Sequence, residues 1–421
     1  MKFIEGGVCA AQGFKAAGIH VGVKTRATWK KDVALIVSDV DCSAAAVFTK
    51  NAVKAAPIHV DKKHLADGKA RAIIVNSGNA NACTGARGVE DARTECRVVA
   101  EQLGLSPSEV AVCSTGVIGL PMPMVRIEPR LPELCHDLSA EKGHDVASAI
   151  ITSDTREKEV AVEITIGGKP VRIGSCCKGA GMISPCMATM ICLICTDAAI
   201  SREHLDDIVH HGVEHSFNRI TIDGDMSTND TCVIFANGNS GVVLAENSDD
   251  TAKFQAALLA LMQNLARKQV MDGEGATKFV AIEVDGAPDT EGAKRLAEAV
   301  ANSLLCKTAW FGCDPNWGRV VAALGYAKVD FNPDLVNIYY DGIPVVRDGG
   351  DAGTPEEDLA DVMKKREFTV LCDMNCGDVD YWVWTSDVTY EYVKINATCY
   401  LFGIYVLFFS YFHQKFQCWQ I

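Results

Sequence analysis

Aromatic residues are scarce in this chain, at 7% of 421. Long apolar runs are missing too: the uncharged stretch 397–412 falls short of the roughly 20 residues that a membrane helix needs, so no membrane-spanning role is expected. Positive charge is in deficit. Forty Lys and Arg stand against 54 Asp and Glu, a formal net charge of −14. An acidic surface repels phosphate backbones, so no nucleic-acid partner is expected. The N-terminus lacks an apolar h-region and an Arg/Ser-rich presequence, because Met1-Lys2-Phe3-Ile4 runs directly into Glu5-Gly6-Gly7-Val8. A cytoplasmic location is the expectation, with plastid or mitochondrial matrix as the alternative for a eukaryotic source. Cysteine is plentiful, with 18 residues. A disulfide scaffold would be short and loop-rich, so free thiols in a reducing compartment are expected instead. With 48% hydrophobic and 22% charged residues, the composition is that of a globular enzyme with one large domain or two ordinary ones.

The apolar pattern predicts strands at 32–37 and 72–75, and a helix over 91–103 with Val98, Val99 and Leu103 on one face. Residues 158–173 read as a hairpin, since Val160, Val162 and Ile164 alternate, Gly167-Gly168 turns, and Val171 and Ile173 return. The apolar run 187–195 suits a strand buried on both faces. Helices are expected over 203–215, after Ser201 as N-cap, over 252–267 and over 292–304. No internal repeat is visible. The mixture points to an α/β class, an α+β layered architecture rather than a regular βαβ alternation.

The most informative stretch is Lys178-Gly179-Ala180-Gly181-Met182-Ile183-Ser184-Pro185-Cys186-Met187-Ala188-Thr189-Met190. A lysine and two glycines form a donor-rich loop, a proline stiffens the entry to a buried strand, and a hydroxyl follows a small residue. Taken alone, Thr189 would be a satisfied core threonine, and Ser114-Thr115-Gly116 an ordinary turn after the strand Val110-Ala111-Val112. Lys178 and Glu274 alone would be solvated charges. Gly179-Ala180-Gly181 lacks the third glycine and helix start of a dinucleotide fingerprint. Cys192-Leu193-Ile194-Cys195 has no second pair at zinc spacing, and no metal site is expected. Asp223, Asp225, Asn229 and Asp230 lack the spacing and closing glutamate of an EF-hand, and read as a hydrogen-bonded loop in the wall of a site.

The stretch from Lys178 to Met190, followed by Thr196-Asp197-Ala198, resembles the signature of the ornithine acetyltransferase (ArgJ) family, K-G-[SA]-G-M-I-x-P-x-M-A-T-M and then T-D-A. Further segments resemble the family in order: Gly6-Gly7-Val8 with Gly13-Phe14-Lys15-Ala16-Ala17-Gly18, Asn76-Ser77-Gly78-Asn79-Ala80-Asn81-Ala82, Ser114-Thr115-Gly116-Val117-Ile118-Gly119, the run 221–230, the run 272–277, Asp314-Pro315-Asn316-Trp317-Gly318-Arg319 and the run 392–397. The resemblance covers residues 4–397.

It implies an α/β/β/α sandwich similar to N-terminal-nucleophile hydrolases, and self-cleavage at Ala188–Thr189. An α chain of 1–188 and a β chain of 189–397, followed by the tail 398–421, would result, assembled as a heterotetramer of two α and two β chains. A threonine hydroxyl is a weak nucleophile and needs a base. Cleavage frees the α-amine of Thr189, whose ordinary pKa of roughly 7.7–8.0 suits that task. The implied oxyanion donors are the Thr115 hydroxyl and the Gly116 N–H. The implied substrate contacts are Thr152, Lys178 facing a carboxylate, Thr189, Glu274 facing an ammonium group, and Asn396. The implied activity is glutamate N-acetyltransfer from N2-acetylornithine through an acetyl-Thr189 intermediate, giving ornithine and N-acetylglutamate in arginine biosynthesis. No cofactor is implied, and acetyl-CoA as a second donor stays open. Two other readings stand beside it: an amidase or aminopeptidase with the same nucleophile, and an inactive assembly protein.

The chain departs from the family after Ala397. Residues 398–421 form an atypical apolar tail, Leu401 stands where the family places a hydroxyl, and Thr398 is out of register. One substrate contact is expected to be lost there.

Overall fold

The computed structural model describes residues 1–24, 29–184 and 190–398. The chain divides into two compact units, Met1–Val270 and Met271–Ile421. The boundary between them differs from the expected cleavage site between Ala188 and Thr189.

The first unit contains strands β1 (Lys2–Ile4), β2 (Phe14–Ile19), β3 (Val33–Phe48), β4 (Lys69–Asn79), β5 (Val110–Val117), β6 (Lys158–Ile166), β7 (Lys169–Lys178), β8 (Ile191–Thr196), β9 (Ile220–Thr221) and β10 (Thr231–Ala236). Its helices are α1 (Ala56–His64), α2 (Gly85–Leu103), α3 (Met124–Ile127), α4 (Leu131–His136), α5 (Gly143–Ile150), α6 (Arg202–Glu214) and α7 (Asp249–Met271), whose last residue lies across the division. The main sheet runs β1-β6-β7-β8-β10-β3-β4-β5, with β2 on β3. Two neighbouring pairs, β4/β5 and β8/β10, are parallel.

Alternation of side chains gives this sheet two apolar faces. Ala34 and Ile36 of β3 join Ile73, Val75, Leu193 and Phe235 in one core, under Val146, Ala147 and Ile150 of α5. Val33, Leu35 and Val37 join Ile74 and Val112 in another, under Ala92, Cys96 and Val99 of α2 and Leu131 and Leu134 of α4. A sheet covered on both faces needs near-continuous apolar strands, and Ile191-Cys192-Leu193-Ile194-Cys195-Thr196 is buried throughout. The hairpin expected over 158–173 is β6 and β7, with full antiparallel register.

The second unit contains β11 (Phe279–Ala287), β12 (Asn337–Tyr340), β13 (Ile343–Arg347), β14 (Gly350–Asp351), β15 (Glu367–Asp373) and β16 (Val379–Ser386), side by side in the order β14-β13-β12-β15-β11-β16. Its helices are α8 (Thr290–Ala301), α9 (Leu304–Phe311), α10 (Trp317–Gly325), α11 (Glu356–Lys364) and α12 (Tyr390–Thr398). Leu296, Val300, Trp310, Leu324 and Met363 pack on Ile282, Ile338, Val370 and Val383 to form its core. The layered α/β class expected from the sequence is the observed one.

Three local expectations need correction. The helix expected from 91 begins at Gly85. The helix expected over 292–304 ends at Ala301, because Ser303 N-caps α9 by accepting from the Cys306 N–H. Ser114-Thr115-Gly116 is a continuation of β5, paired with Asn76, Ser77 and Gly78 of β4. Among the described residues, no helix is long and apolar enough to cross a membrane.

Candidate active site

β5 and β7 bring two of the expected site residues together. Thr115 lies near the end of β5 and Lys178 closes β7, and both are buried. The Lys178 ammonium donates to the Thr115 hydroxyl at 3.4 Å. Gln269 of α7 fixes the lysine backbone, its amide donating to the Lys178 carbonyl at 2.9 Å. The next residue, Gly116, has φ +136°, and a Cβ there would meet the Gly78 carbonyl carbon at 2.3 Å. Any other residue would force β4 and β5 apart, so glycine is required at this close approach of the two strands. Asn76 locks the same region, accepting from the Ser114 hydroxyl at 2.5 Å and donating to the Asn79 carbonyl at 2.9 Å.

Sequence reasoning missed Asp154. Its buried carboxylate accepts from the Lys158 ammonium and the Gly179 N–H, each at 2.7 Å, and from the Thr152 N–H at 3.0 Å. One carboxylate thus ties the half-buried Thr152 to the backbone that follows Lys178. Burial pushes this carboxyl up, but Lys178, Lys158 and the hydrogen bonds outweigh it and bring it down to about 2. The available signal was an aspartate and a lysine four apart, a spacing that says nothing about burial.

Asp223 accepts from the Met182 and Ile183 N–H groups at 2.6 and 2.8 Å. Asp230 accepts from the Met190 N–H at 2.9 Å, and burial drives its carboxyl well up. The loop read as a site wall therefore holds the chain on both sides of the cleavage motif. Ala188 and Thr189 themselves lie outside the described residues, as do Leu401 and the rest of the tail from 399 on.

In the second unit, Glu274 and Asn396 meet across 122 positions. The Asn396 amide of α12 donates to Glu274 Oε2 at 2.8 Å and to the Tyr392 carbonyl at 3.1 Å. Thr389 stitches the same corner, its hydroxyl donating to the Gly275 carbonyl at 2.8 Å. Cys192 and Cys195 stand three apart on β8, where alternation sends their thiols to opposite faces. Burial raises both thiols well above their usual range.

Comparison with known proteins places the chain in a family. Residues 15–400 match the model of the ArgJ family. The chain belongs to the ArgJ family. It is an acyltransferase of arginine biosynthesis. The chain is 48% identical to an arginine biosynthesis bifunctional protein ArgJ of Geobacter sulfurreducens, over 92% of this chain and 98% of that protein. It is 44% identical to a glutamate N-acetyltransferase of Methanocaldococcus jannaschii, over 94% of this chain and 99% of that one. A solved structure, ornithine acetyltransferase complexed with ornithine from Mycobacterium tuberculosis, is 34% identical, covers 45% of this chain and 99% of its own, and has a TM-score of 0.40.

Proposed function

We propose that this chain is a glutamate N-acetyltransferase that carries acetyl from N2-acetylornithine to glutamate through an ester on Thr189. The observation that supports this reading most is the buried contact of Lys178 with Thr115, beside the kinked Gly116. A hydroxyl held by a cation, followed by an N–H on turned backbone, gives two donors for an oxyanion. Self-cleavage frees the Thr189 α-amine, which takes the proton from its own hydroxyl. The hydroxyl oxygen attacks the acetyl carbonyl, and negative charge develops on the carbonyl oxygen facing Thr115 and Gly116. Collapse breaks the C–N bond, ornithine leaves with the proton on its amine, and the acetyl ester remains. The glutamate amine then attacks the ester, restoring the threonine hydroxyl and giving N-acetylglutamate.

Lys178 meets a substrate carboxylate, Glu274 an ammonium group, and Thr152 and Asn396 supply polar contacts. The cleaved chains assemble as two α and two β chains, in the cytoplasm, without a cofactor. Acetyl-CoA is a candidate second donor. Incubating purified protein with N2-acetylornithine, with and without glutamate, tests the reading. Transfer dependent on glutamate supports it, and release of acetate at equal rate in both arms would replace it with an amidase. Thr189→Ala should remain one uncut chain on denaturing electrophoresis, and cleavage at 188/189 in that variant would refute the self-processing step.

A further inference from the structure

Cleavage between Ala188 and Thr189 cuts the chain beside its own nucleophile. From then on Thr189 is tethered from one side, through its peptide bond to Met190. The anchoring of Met190 decides whether the nucleophile keeps its place relative to the oxyanion donors, and small displacements there are costly in rate.

Met190 is buried and held twice. Its N–H donates to Asp230 Oδ1 at 2.9 Å, and its carbonyl accepts from the Thr231 N–H at 3.0 Å. The preceding side chain reaches the other way. The Asn229 amide donates to the Ser114 carbonyl at 2.7 Å and the Ala80 carbonyl at 2.6 Å, in a buried setting. The Ser114 carbonyl belongs to the peptide that enters Thr115, and Ala80 lies just past β4, which supports Gly116. The same segment also holds the other flank, where the Ile183 carbonyl accepts from the Ile222 N–H at 2.9 Å.

We propose that Asn229 and Asp230 are positioning residues for the transfer reaction, locking the backbone after Thr189 to the backbone before Thr115 so that cleavage does not release the nucleophile from its oxyanion donors. This inference rests on the function proposed above. The brace needs an acceptor at residue 230 and a two-hydrogen donor at residue 229. An amide can replace the acceptor at 230, whereas alanine can replace neither group.

The experiment compares wild type, Asp230→Asn, Asp230→Ala and Asn229→Ala for fragment yield, kcat, KM for N2-acetylornithine and the pH profile of kcat. Asp230→Asn should stay within about threefold of wild type, with an unchanged pH profile, because its amide oxygen still accepts from Met190. Asp230→Ala and Asn229→Ala should lose about 10²-fold in kcat with KM nearly constant, the mark of misplaced reacting groups. If Asp230→Ala does not fold, Asn229→Ala decides: a wild-type kcat there overturns the proposal. Equal losses in Asp230→Asn and Asp230→Ala also overturn it, since the proton rather than the acceptor would then matter. A wild type that transfers no acetyl group to glutamate removes the functional reading itself, and the brace with it. Normal wild-type transfer beside a fully active Asp230→Ala removes the brace alone.

Discussion

Replacing Asp154 by asparagine should destabilise the protein more than any surface charge change could. The carboxylate is buried and receives three hydrogen bonds, one of them from the buried Lys158 ammonium at 2.7 Å. The amide keeps the shape and one acceptor oxygen but removes the charge. Two estimates bracket the cost. The carboxyl is held at about 2 against an ordinary 3.8, and that difference corresponds to about 2 kcal/mol of extra stability in the ionised form. Removing one partner of a buried ion pair also leaves the other ammonium without that counter-charge, and such changes cost roughly 3–5 kcal/mol. A loss of about 3 kcal/mol or more at pH 7 is therefore expected, read by urea unfolding followed by circular dichroism with a common m-value. The pH dependence has a definite sign. A carboxyl depressed in the folded state contributes stability above about 3.8, and that contribution is lost as pH falls toward about 2. The gap between wild type and variant should begin to close below about pH 4. A variant within about 1 kcal/mol of wild type at pH 7, or a gap that widens on acidification, would refute this reasoning.

Glu95 should show the opposite pH dependence. It is fully buried on α2, neither carboxylate oxygen has a hydrogen-bond partner among the described residues, and burial together with nearby Asp91 raises its carboxyl from 4.5 to about 8. The folded state keeps this proton where the unfolded chain has lost it, so stability falls as pH rises from about 4.5 to about 8, by about 5 kcal/mol in all. Glu95→Gln should flatten this slope in unfolding experiments between pH 5 and 9, and an unchanged slope would show that Glu95 ionises freely in the folded protein. Thr115→Ala should lower kcat by about 10²–10³ with little change in KM, the usual result of losing one oxyanion donor. An effect confined to KM would make Thr115 a ground-state contact.

The elements that the sequence made legible are those with strong apolar order. The hairpin β6/β7 followed from strict alternation around Gly167-Gly168, and α6 followed from Ser201, which does accept from the His204 N–H. The start of α2 was hidden because Gly85 and Gly88 weaken its first turn and no side chain caps it. Ser114-Thr115-Gly116 has the composition of a turn, yet register with β4 keeps it extended. Propensity is local, and the pairing that overrides it is not. At the site, Thr115 and Lys178 were named through a resemblance, since nothing in their spacing brings residues 63 positions apart into contact. The meeting of Glu274 with Asn396 is of the same kind. Asp154 escaped notice because burial of a charge depends on three-dimensional packing.

The most direct test of the central claim is to mix purified protein with N2-acetylornithine in the absence of glutamate and identify the acylated residue by mass spectrometry. One acetyl group per site should appear as an ester on Thr189, with release of an equal amount of ornithine, and added glutamate should discharge it to N-acetylglutamate. An acetyl group found on another residue, or transfer at the wild-type rate by Thr189→Ala, would contradict the account.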